Sequence, residues 1–345
     1  MFENKERTDI SNLGEFGLID HLTKNIEIHN SSTRLGVGDD AAVLDFAGKK
    51  TLISTDLLLD GIHFDLSYTP LKHLGYKAIQ VNLSDIYAMN GTATQVTVSF
   101  GLSSKFPLEA VEDLYEGMLI ACKKYNVDIV GGDTTSSKQG LVISVTSIGY
   151  ADEDEITYRN TAEEGNLICV SGDLGAAYMG LQLLEREKKV FLENPNIQPD
   201  LEGKDYIVER QLKPEARKDI VELLKASGIK PTAMIDVSDG LSSEVMHICN
   251  KSGKGCTLYE EKIPIDPMTY ETARQFNLDP TICALSGGED YELLFTIKQS
   301  DYDKIKNNPD VSVIGHITEQ SAGMNLVSKS GNVHPLKAQG WNSLG

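Results

Sequence analysis

The sequence has few cysteines, and none of them forms a pair with metal-binding or redox spacing. The five cysteines, at positions 122, 169, 249, 256 and 283, contain no CxxC and mostly lie in apolar strings. The seven histidines show no HxxxH or similar metal spacing. This usage argues against a zinc site or a disulfide framework, and it predicts buried free thiols in a cytoplasmic protein.

Positive charge and long apolar runs are also scarce. The chain has 32 Lys and Arg residues against 51 Asp and Glu residues, so its formal net charge is −19. Such an acidic chain is poorly suited to nucleic-acid backbones or anionic membrane surfaces. No stretch approaches the roughly 18–20 apolar residues of a membrane span. We therefore expect no nucleic acid and no membrane as partners, although carboxylates can still bind anionic ligands through Mg²⁺.

The common glycine motifs for nucleotides and acyl transfer are missing. The sequence contains no GxxxxGK[ST], no GxGxxG and no GxSxG. Two other glycine-rich segments, 131–137 and 286–290, are compatible with tight turns or with backbone nests for phosphate oxygens. The segment 172–175 precedes a helical pattern, where it could cap the helix or bind an anion.

The length of 345 residues predicts about two domains. The first half mixes helical patterns, such as PLKHLGYKAIQVNLSDIYAMNG, with apolar strand-like runs, and the order is not a strict βαβ alternation. The composition becomes polar and acidic near ADEDEITYRNTAEEGN, and a new strand-to-helix pattern follows. These features predict an α/β (α+β) protein with one domain over 1–150 and another over 151–345.

Five acidic clusters follow apolar, β-like runs and form the main functional signal. They are Gly38-Asp39-Asp40, Ser54-Thr55-Asp56, Asn82-Leu83-Ser84-Asp85, Gly131-Gly132-Asp133 and Asp236-Val237-Ser238-Asp239-Gly240. Carboxylates at strand ends can converge on a cleft and bind Mg²⁺ together with substrate phosphates. The alternative is that each is an ordinary turn, or a helix N-cap for Asp239. Asn82 and Asp85, three residues apart, would share one helical face.

Six strings occur in an order typical of one enzyme family. They are GVGDDAAVLDF, LISTDLLLDGIHF, KAIQVNLSDIYAMNG, IVGGDTT, MIDVSDGLSSE and ALSGGEDYELLFT, within roughly residues 14–297. On these motifs the sequence resembles the thiamine-monophosphate kinases, of the aminoimidazole ribonucleotide synthetase superfamily. The resemblance implies Mg²⁺-dependent transfer of the ATP γ-phosphoryl group to thiamine monophosphate, giving thiamine diphosphate and ADP. Because both reactants are polyanions and cationic residues are few, several Mg²⁺ ions would neutralise their charge.

The resemblance also implies an architecture. The N-terminal domain would bind ATP and Mg²⁺, and its mixed sheet would form a barrel across a homodimer. The C-terminal domain, an α/β layer, would complete the nucleotide and substrate site in the groove between domains.

Roles for individual residues follow from the same resemblance. The catalytic residues would be Asp56, Asp85, Asp133 and Asp239, and the Mg²⁺ ligands Asp40, Ser54, Thr55, Asp56, Asp85, Asp133, Asp236 and Asp239. Gly132, Arg159, Ser238 and Tyr115 would contact ATP, and His63, Glu289 and Trp341 would contact thiamine monophosphate. Without the family, Arg159 reads as a linker residue paired with Glu163. The usual family ending has His-Phe after the aromatic residue, whereas this chain ends GWNSLG.

Three alternatives make different demands on the sequence. A selenophosphate synthetase would need a reactive cysteine in a glycine-rich N-terminal region, but the first cysteine is Cys122 in a helical pattern. The hydrogenase maturation protein would need a C-terminal cysteine, but the last is Cys283. A non-enzymatic cation-binding protein would favour short ligand loops such as DxDxDG, which are absent.

Overall fold

The computed structural model describes residues 21–35, 43–138 and 140–337. The chain forms two compact units, which we call the first and the second unit. The first comprises Met1–Ile86 and Gly91–Asp154, and the second comprises Tyr87–Asn90 and Glu155–Gly345. Among the helices in the described ranges, none is both long and apolar enough to cross a membrane.

Helices and strands of the first unit alternate irregularly, as the sequence predicts. Its elements are β1 (Thr33–Leu35), β2 (Val43–Leu44), β3 (Lys50–Leu59), α1 (Leu71–Ala88), β4 (Thr92–Leu102), α2 (Leu108–Tyr125), β5 (Asp128–Ser136) and β6 (Val142–Ala151). Four strands form a mixed sheet in the order β3-β6-β4-β5, in which only the β4–β5 pairing is parallel. Along β6, buried residues alternate with partly exposed ones, so one face of the sheet is covered and the other is open.

Strand β5 corrects the prediction of a glycine-rich loop at residue 131. The strand continues through Gly131, Gly132 and Asp133 to Ser136, because its backbone pairs with β4 over that whole length. Gly132 permits this close pairing, since a Cβ atom there would lie 1.8 Å from the carbonyl oxygen of Val98. This segment is therefore not a phosphate nest.

Helices α1 and α2 pack at backbone distance. A Cβ atom on Gly117 would lie 1.9 Å from the carbonyl oxygen of Lys72, and one on Gly75 would lie 1.9 Å from that of Leu114. The two glycines thus set a helix separation that no larger residue permits. This packing holds α1, which carries Asn82 and Asp85, in the first unit.

We expect Gly117→Ala to lower the free energy of unfolding by about 1–3 kcal/mol, because the helices must separate. Urea denaturation measures the change. Gly131→Ala is a matched control, since its Cβ would make only an ordinary contact of 3.9 Å with Thr97. Equal stability of the two variants would contradict the packing argument.

The second unit is built around a seven-stranded sheet. Its elements are β7 (Leu167–Ser171), α3 (Ala176–Glu193), α4 (Asp205–Leu212), α5 (Lys218–Ala226), β8 (Ala233–Asp236), α6 (Leu241–Ser252), β9 (Lys254–Tyr259), α7 (Pro267–Gln275), α8 (Pro280–Ser286), β10 (Leu293–Ile297), α9 (Tyr302–Ile305), β11 (Val311–Glu319), β12 (Met324–Val327) and β13 (Val333–Pro335). The strand order is β13-β12-β9-β11-β7-β10-β8. Apolar residues of β7, β8, β9 and α6 form one buried core with neighbouring strands. The predicted mixed α/β class is confirmed, and all five cysteines are free and buried.

Candidate active site

The first unit brings together four polar residues between strand β3 and helix α1. The Oγ of Ser54 donates to Oδ2 of Asp85 at 2.5 Å, and the backbone N–H of Asp56 donates to Oδ1 of Asn82 at 3.0 Å. The prediction that Asn82 and Asp85 share one helical face is confirmed, because both contact β3. Ser54, Asp56 and Asp85 therefore form one acidic group, but it lies in the middle of β3 and not beyond a strand end.

Two other predicted ligands lie on the opposite face of the same sheet. Side chains alternate along a strand, so Thr55 faces away from Ser54 and Asp56. Its hydroxyl donates to the carbonyl oxygen of Val145 at 3.0 Å. Asp133 pairs in register with Ser99, on the open face, and it is exposed. Within this unit the structure does not bring Thr55 or Asp133 to the Ser54–Asp56–Asp85 group.

Tyr115 lies in the core of the first unit. It is buried in α2, with its ring centroid 6.0 Å from that of Phe100. Burial raises the pKa of Tyr115 to about 12. Tyr115 is therefore a packing residue, and none of these interactions supports its predicted contact with ATP.

His63 lies just beyond β3. Its Nδ1 accepts a hydrogen bond from the backbone N–H of Leu59 at 3.1 Å. Because Nδ1 is an acceptor, a neutral ring carries its proton on Nε2.

The second unit holds the other acidic group, at the end of β8. Asp236 is the last residue of the strand, and Ser238 and Asp239 form the turn before α6. Glu244, which the sequence argument missed, organises this turn. One of its oxygens, Oε1, accepts the backbone N–H of Asp239 at 3.2 Å and the hydroxyl of Ser238 at 3.5 Å. Burial, together with the charges of Asp236 and Asp239, raises the pKa of Glu244 to about 7.

Arg159 supplies positive charge near this turn. Its side chain is exposed, and its charge opposes the upward shift in the pKa of Glu244. The Ser252 hydroxyl on α6 donates to the Arg159 carbonyl oxygen at 3.3 Å. Among the ion pairs of the described residues, none joins Arg159 to Glu163, so the alternative of a linker pair is wrong.

Glu289 lies against the same turn. Its backbone N–H donates to the carbonyl oxygen of Ser238 at 2.7 Å, and that of Tyr291 donates to Val237 at 2.9 Å. Burial, and then the charge of Glu289, raise the pKa of Asp239. The structure thus brings together a predicted metal ligand and a predicted substrate contact that are 50 residues apart in sequence.

A buried ionic cluster follows Glu289 and was not predicted from the sequence. The carboxylate of Glu292 accepts from Nη1 of Arg210 at 2.8 Å, from Arg217 and from the hydroxyl of Ser171 at 2.5 Å. Arg210 also donates to the carbonyl oxygens of Asp173 and Asp290 at 3.1 and 3.3 Å. These contacts link α4 and the loop before α5 to the segment before β10.

Asp290 occupies the N-terminus of helix α3. Its two carboxylate oxygens accept the backbone N–H groups of Gly175 and Ala177 at 2.7 and 3.3 Å. The sequence left open whether segment 172–175 binds an external anion or caps the helix. The structure favours a capped helix, because a carboxylate of the same chain takes the place of the anion.

The pKa of Asp290 gives a pH-dependence prediction. Burial raises it from the ordinary 3.8 to about 7. Between these values the folded chain holds a proton that the unfolded chain has released, so this stabilisation is lost as pH rises through that range. We expect Asp290 to contribute a fall of roughly 2–4 kcal/mol in the free energy of unfolding between pH 4 and 8. Denaturation curves should show a shallower fall for Asp290→Asn, and an unchanged one for the exposed Asp303→Asn. A steeper fall in Asp290→Asn would contradict the assignment.

The two acidic groups fit Mg²⁺ in the mode that it uses with phosphate ligands. In the ranges 21–35, 43–138 and 140–337, no three His, Cys, Asp or Glu side chains converge as a complete metal site. Mg²⁺ commonly takes only one or two carboxylates and fills its octahedron with water and substrate phosphates. The pairs Asp56–Asp85 and Asp236–Asp239 match that pattern. Asp40 and Trp341 lie outside the described residues.

Comparisons with known proteins cover nearly the whole chain. The family model of the AIR synthase related protein N-terminal domain matches residues 38–151, and that of the C-terminal domain matches residues 163–324. A thiamine-monophosphate kinase from Bacillus subtilis (strain 168) is 32% identical over 339 residues, covering 96% of this chain and 99% of the relative. Another from Aquifex aeolicus (strain VF5) is 34% identical, covering 90% and 93%.

The solved structures give the same picture. A structure described as "AaThiL complexed with AMPPCP and TMP" aligns with a TM-score of 0.73 at 31% identity, covering 99% of this chain and 100% of that one. This structure and the curated relatives therefore agree on the same kind of protein.

Proposed function

Because this chain belongs to the thiamine-monophosphate kinase family, we propose that it transfers the γ-phosphoryl group of ATP directly to the phosphate of thiamine monophosphate. The products are thiamine diphosphate and ADP. The observation that carries the proposal is the full-length similarity to a protein described as complexed with AMPPCP and TMP. The two acidic groups support it, because phosphoryl transfer depends on positioning and charge neutralisation.

The proposed step needs no strong general base. A phosphate oxygen of thiamine monophosphate, already anionic, forms a bond to the γ-phosphorus. The bond from that phosphorus to the β–γ bridging oxygen breaks, and ADP leaves with the electron pair. A base is unnecessary because no proton has to leave the nucleophile. The hydrogen bond from Leu59 to Nδ1 of His63 agrees with a binding role for this histidine.

The acidic groups would hold Mg²⁺ and orient the phosphates. Bound Mg²⁺ supplies charge neutralisation between the two polyanions. Arg159, exposed beside the 236–239 turn, would pair with the phosphates of ATP, and Glu289 would face the acceptor. The other proposed contacts are Asp40, Ser54, Thr55 and Asp133 toward metal, Gly132 and Ser238 toward ATP, and Trp341 toward the thiamine rings. Tyr115, which is buried in α2, is not among them. The five buried free thiols support the proposed cytoplasmic location.

A coupled ADP-release assay tests the reaction. Purified protein is incubated with ATP, Mg²⁺ and thiamine monophosphate, with and without EDTA. We expect metal-dependent ADP release with an equal amount of thiamine diphosphate. A folded protein that binds ATP but releases no ADP would instead be a synthetase with another acceptor. Cation binding with no nucleotide effect would favour the non-enzymatic alternative.

We expect unphosphorylated thiamine to be rejected as acceptor, because the attacking atom is a phosphate oxygen. The measurement is ADP release with thiamine in place of its monophosphate at the same concentration. Turnover at an equal rate would contradict the proposed acceptor group.

We further propose that the chain forms a homodimer through the open face of the first unit's sheet. Strand β3 is an edge strand of that sheet, and its Ile53 and Leu57 are 68% and 50% exposed. Large apolar side chains on an open edge favour a protein contact. Light scattering should give about twice the 37.8 kDa of one chain. Ile53→Lys should lower that mass, while Ile282→Lys, also an exposed isoleucine, should not.

A further inference from the structure

Glu289 is held in an uncommon backbone conformation. Its φ is 59°, and Tyr291 has a φ of 53°, both in the left-handed region that non-glycine residues rarely adopt. Backbone hydrogen bonds to Ser238 and Val237 hold both residues in place. The main chain of this segment is therefore fixed without help from the Glu289 side chain.

The side chain of Glu289 has a separate partner. Nε2 of Gln211, on helix α4, donates to Oε2 of Glu289 at 2.8 Å. Gln211 is only 5% exposed, so its amide is fixed by packing. The preceding residue, Arg210, donates to the carbonyl oxygen of Asp290 at 3.3 Å. Two consecutive side chains of α4 thus contact two consecutive residues of the segment. Gln211 binds the side chain of Glu289, and Arg210 binds the backbone carbonyl of Asp290.

An amide donor suits a carboxylate that must remain anionic and still bind a ligand. It neutralises no charge, and it occupies one of about four lone-pair positions on the carboxylate. A buried arginine in its place would hold the carboxylate in an ion pair, as Arg210 holds Glu292. The neighbouring Asp290 and Glu292 are buried and paired in this way, whereas Glu289 is only partly buried.

We infer that Gln211 is a positioning residue that orients the Glu289 carboxylate toward the acceptor substrate. This inference rests on the proposed function. A carboxylate repels a phosphate, so the part of thiamine monophosphate that Glu289 faces is its cationic and hydrogen-bonding ring portion. Gln211 therefore contributes to binding of the acceptor, and it does not contribute to binding of ATP or to transfer of the phosphoryl group.

Gln211→Met tests the inference, since it keeps the volume and removes the donor. We expect KM for thiamine monophosphate to rise about tenfold, while kcat and KM for ATP stay within about twofold. Gln211→Glu should raise the same KM further at pH 8 than at pH 6, because two carboxylates then face each other. Gln198→Met, at an exposed glutamine, is the control and should match the unmodified protein.

A double-mutant cycle with Glu289→Gln separates positioning from simple packing. If Gln211 acts through Glu289, the double variant has the same KM for thiamine monophosphate as Glu289→Gln alone. Independent, multiplicative effects, or a Gln211→Met variant with lower thermal stability but an unchanged KM, would overturn the inference. If the unmodified protein does not turn over thiamine monophosphate at all, the proposed function itself fails, and the inference fails with it.

Discussion

Replacing Asp56 by Asn is expected to lower kcat at least about a hundredfold, the scale of losing one contact that stabilises a transition state. Asp56 lies beside the Ser54–Asp85 hydrogen bond, on the side of β3 that faces α1. Its tie to that helix runs through its backbone N–H, which donates to Asn82. The substitution therefore removes one negative charge toward the proposed Mg²⁺ and keeps this backbone anchor.

The measurement is kcat at saturating ATP, Mg²⁺ and thiamine monophosphate, with circular dichroism to establish that the variant is folded. Asp113→Asn is the matched control, because Asp113 is an exposed aspartate on α2 of the same unit. We expect it to keep full activity. Near-normal turnover by Asp56→Asn would show that Asp56 has no catalytic role and is an ordinary strand residue.

The second large effect is on stability. We expect Arg210→Met to lower the free energy of unfolding by about 3–5 kcal/mol, the usual cost of removing one partner from a buried ion pair. The guanidinium of Arg210 lies 2.8 Å from Glu292 and 3.8 Å from Asp290, whose side chains are 1% and 0% exposed. Without Arg210, Asp290 loses its charged partner, and the Glu292 carboxylate keeps Arg217 and Ser171 as its partners among the described residues.

Equilibrium denaturation of three variants separates charge from geometry. Arg210→Lys keeps a cation but loses the planar fork, so its stability should fall between those of the unmodified chain and Arg210→Met. Arg274→Met, at an exposed arginine of α7, should change stability by less than about 0.5 kcal/mol. Equal stability of Arg210→Met and Arg274→Met would contradict the role of the cluster.

The local pattern predicted helix α1 and its polar face, whereas α4, α7 and α8 were not predicted. Pro70 and Gly91 bracket a helical pattern, and α1 occupies Leu71–Ala88 between them. The three-residue spacing of Asn82 and Asp85 placed both on one face, which contacts β3. Such spacing is a property of the helix itself, so it can be read without knowing the neighbours.

Features that depend on distant partners were not predictable in this way. Gly131-Gly132-Asp133 has the composition of a turn, but pairing with β4 makes it a strand. Glu292 and Arg210 are 82 residues apart, and no local pattern of either residue identifies the other as its partner. The alternative roles of segment 172–175 could be resolved only when Asp290, from far along the chain, was seen at the helix N-terminus.

The alternation of residues after Gly288 has a consequence for how this region can change in evolution. Glu289 faces the 236–239 turn, whereas Asp290 caps α3 and Glu292 binds two arginines. Inserting or deleting a single residue here would interchange the inward and outward side chains. The carboxylate of Glu289 would then enter the ionic cluster, and a carboxylate of the cluster would face the 236–239 turn. An insertion or deletion between Gly288 and Glu292 would therefore abolish this arrangement.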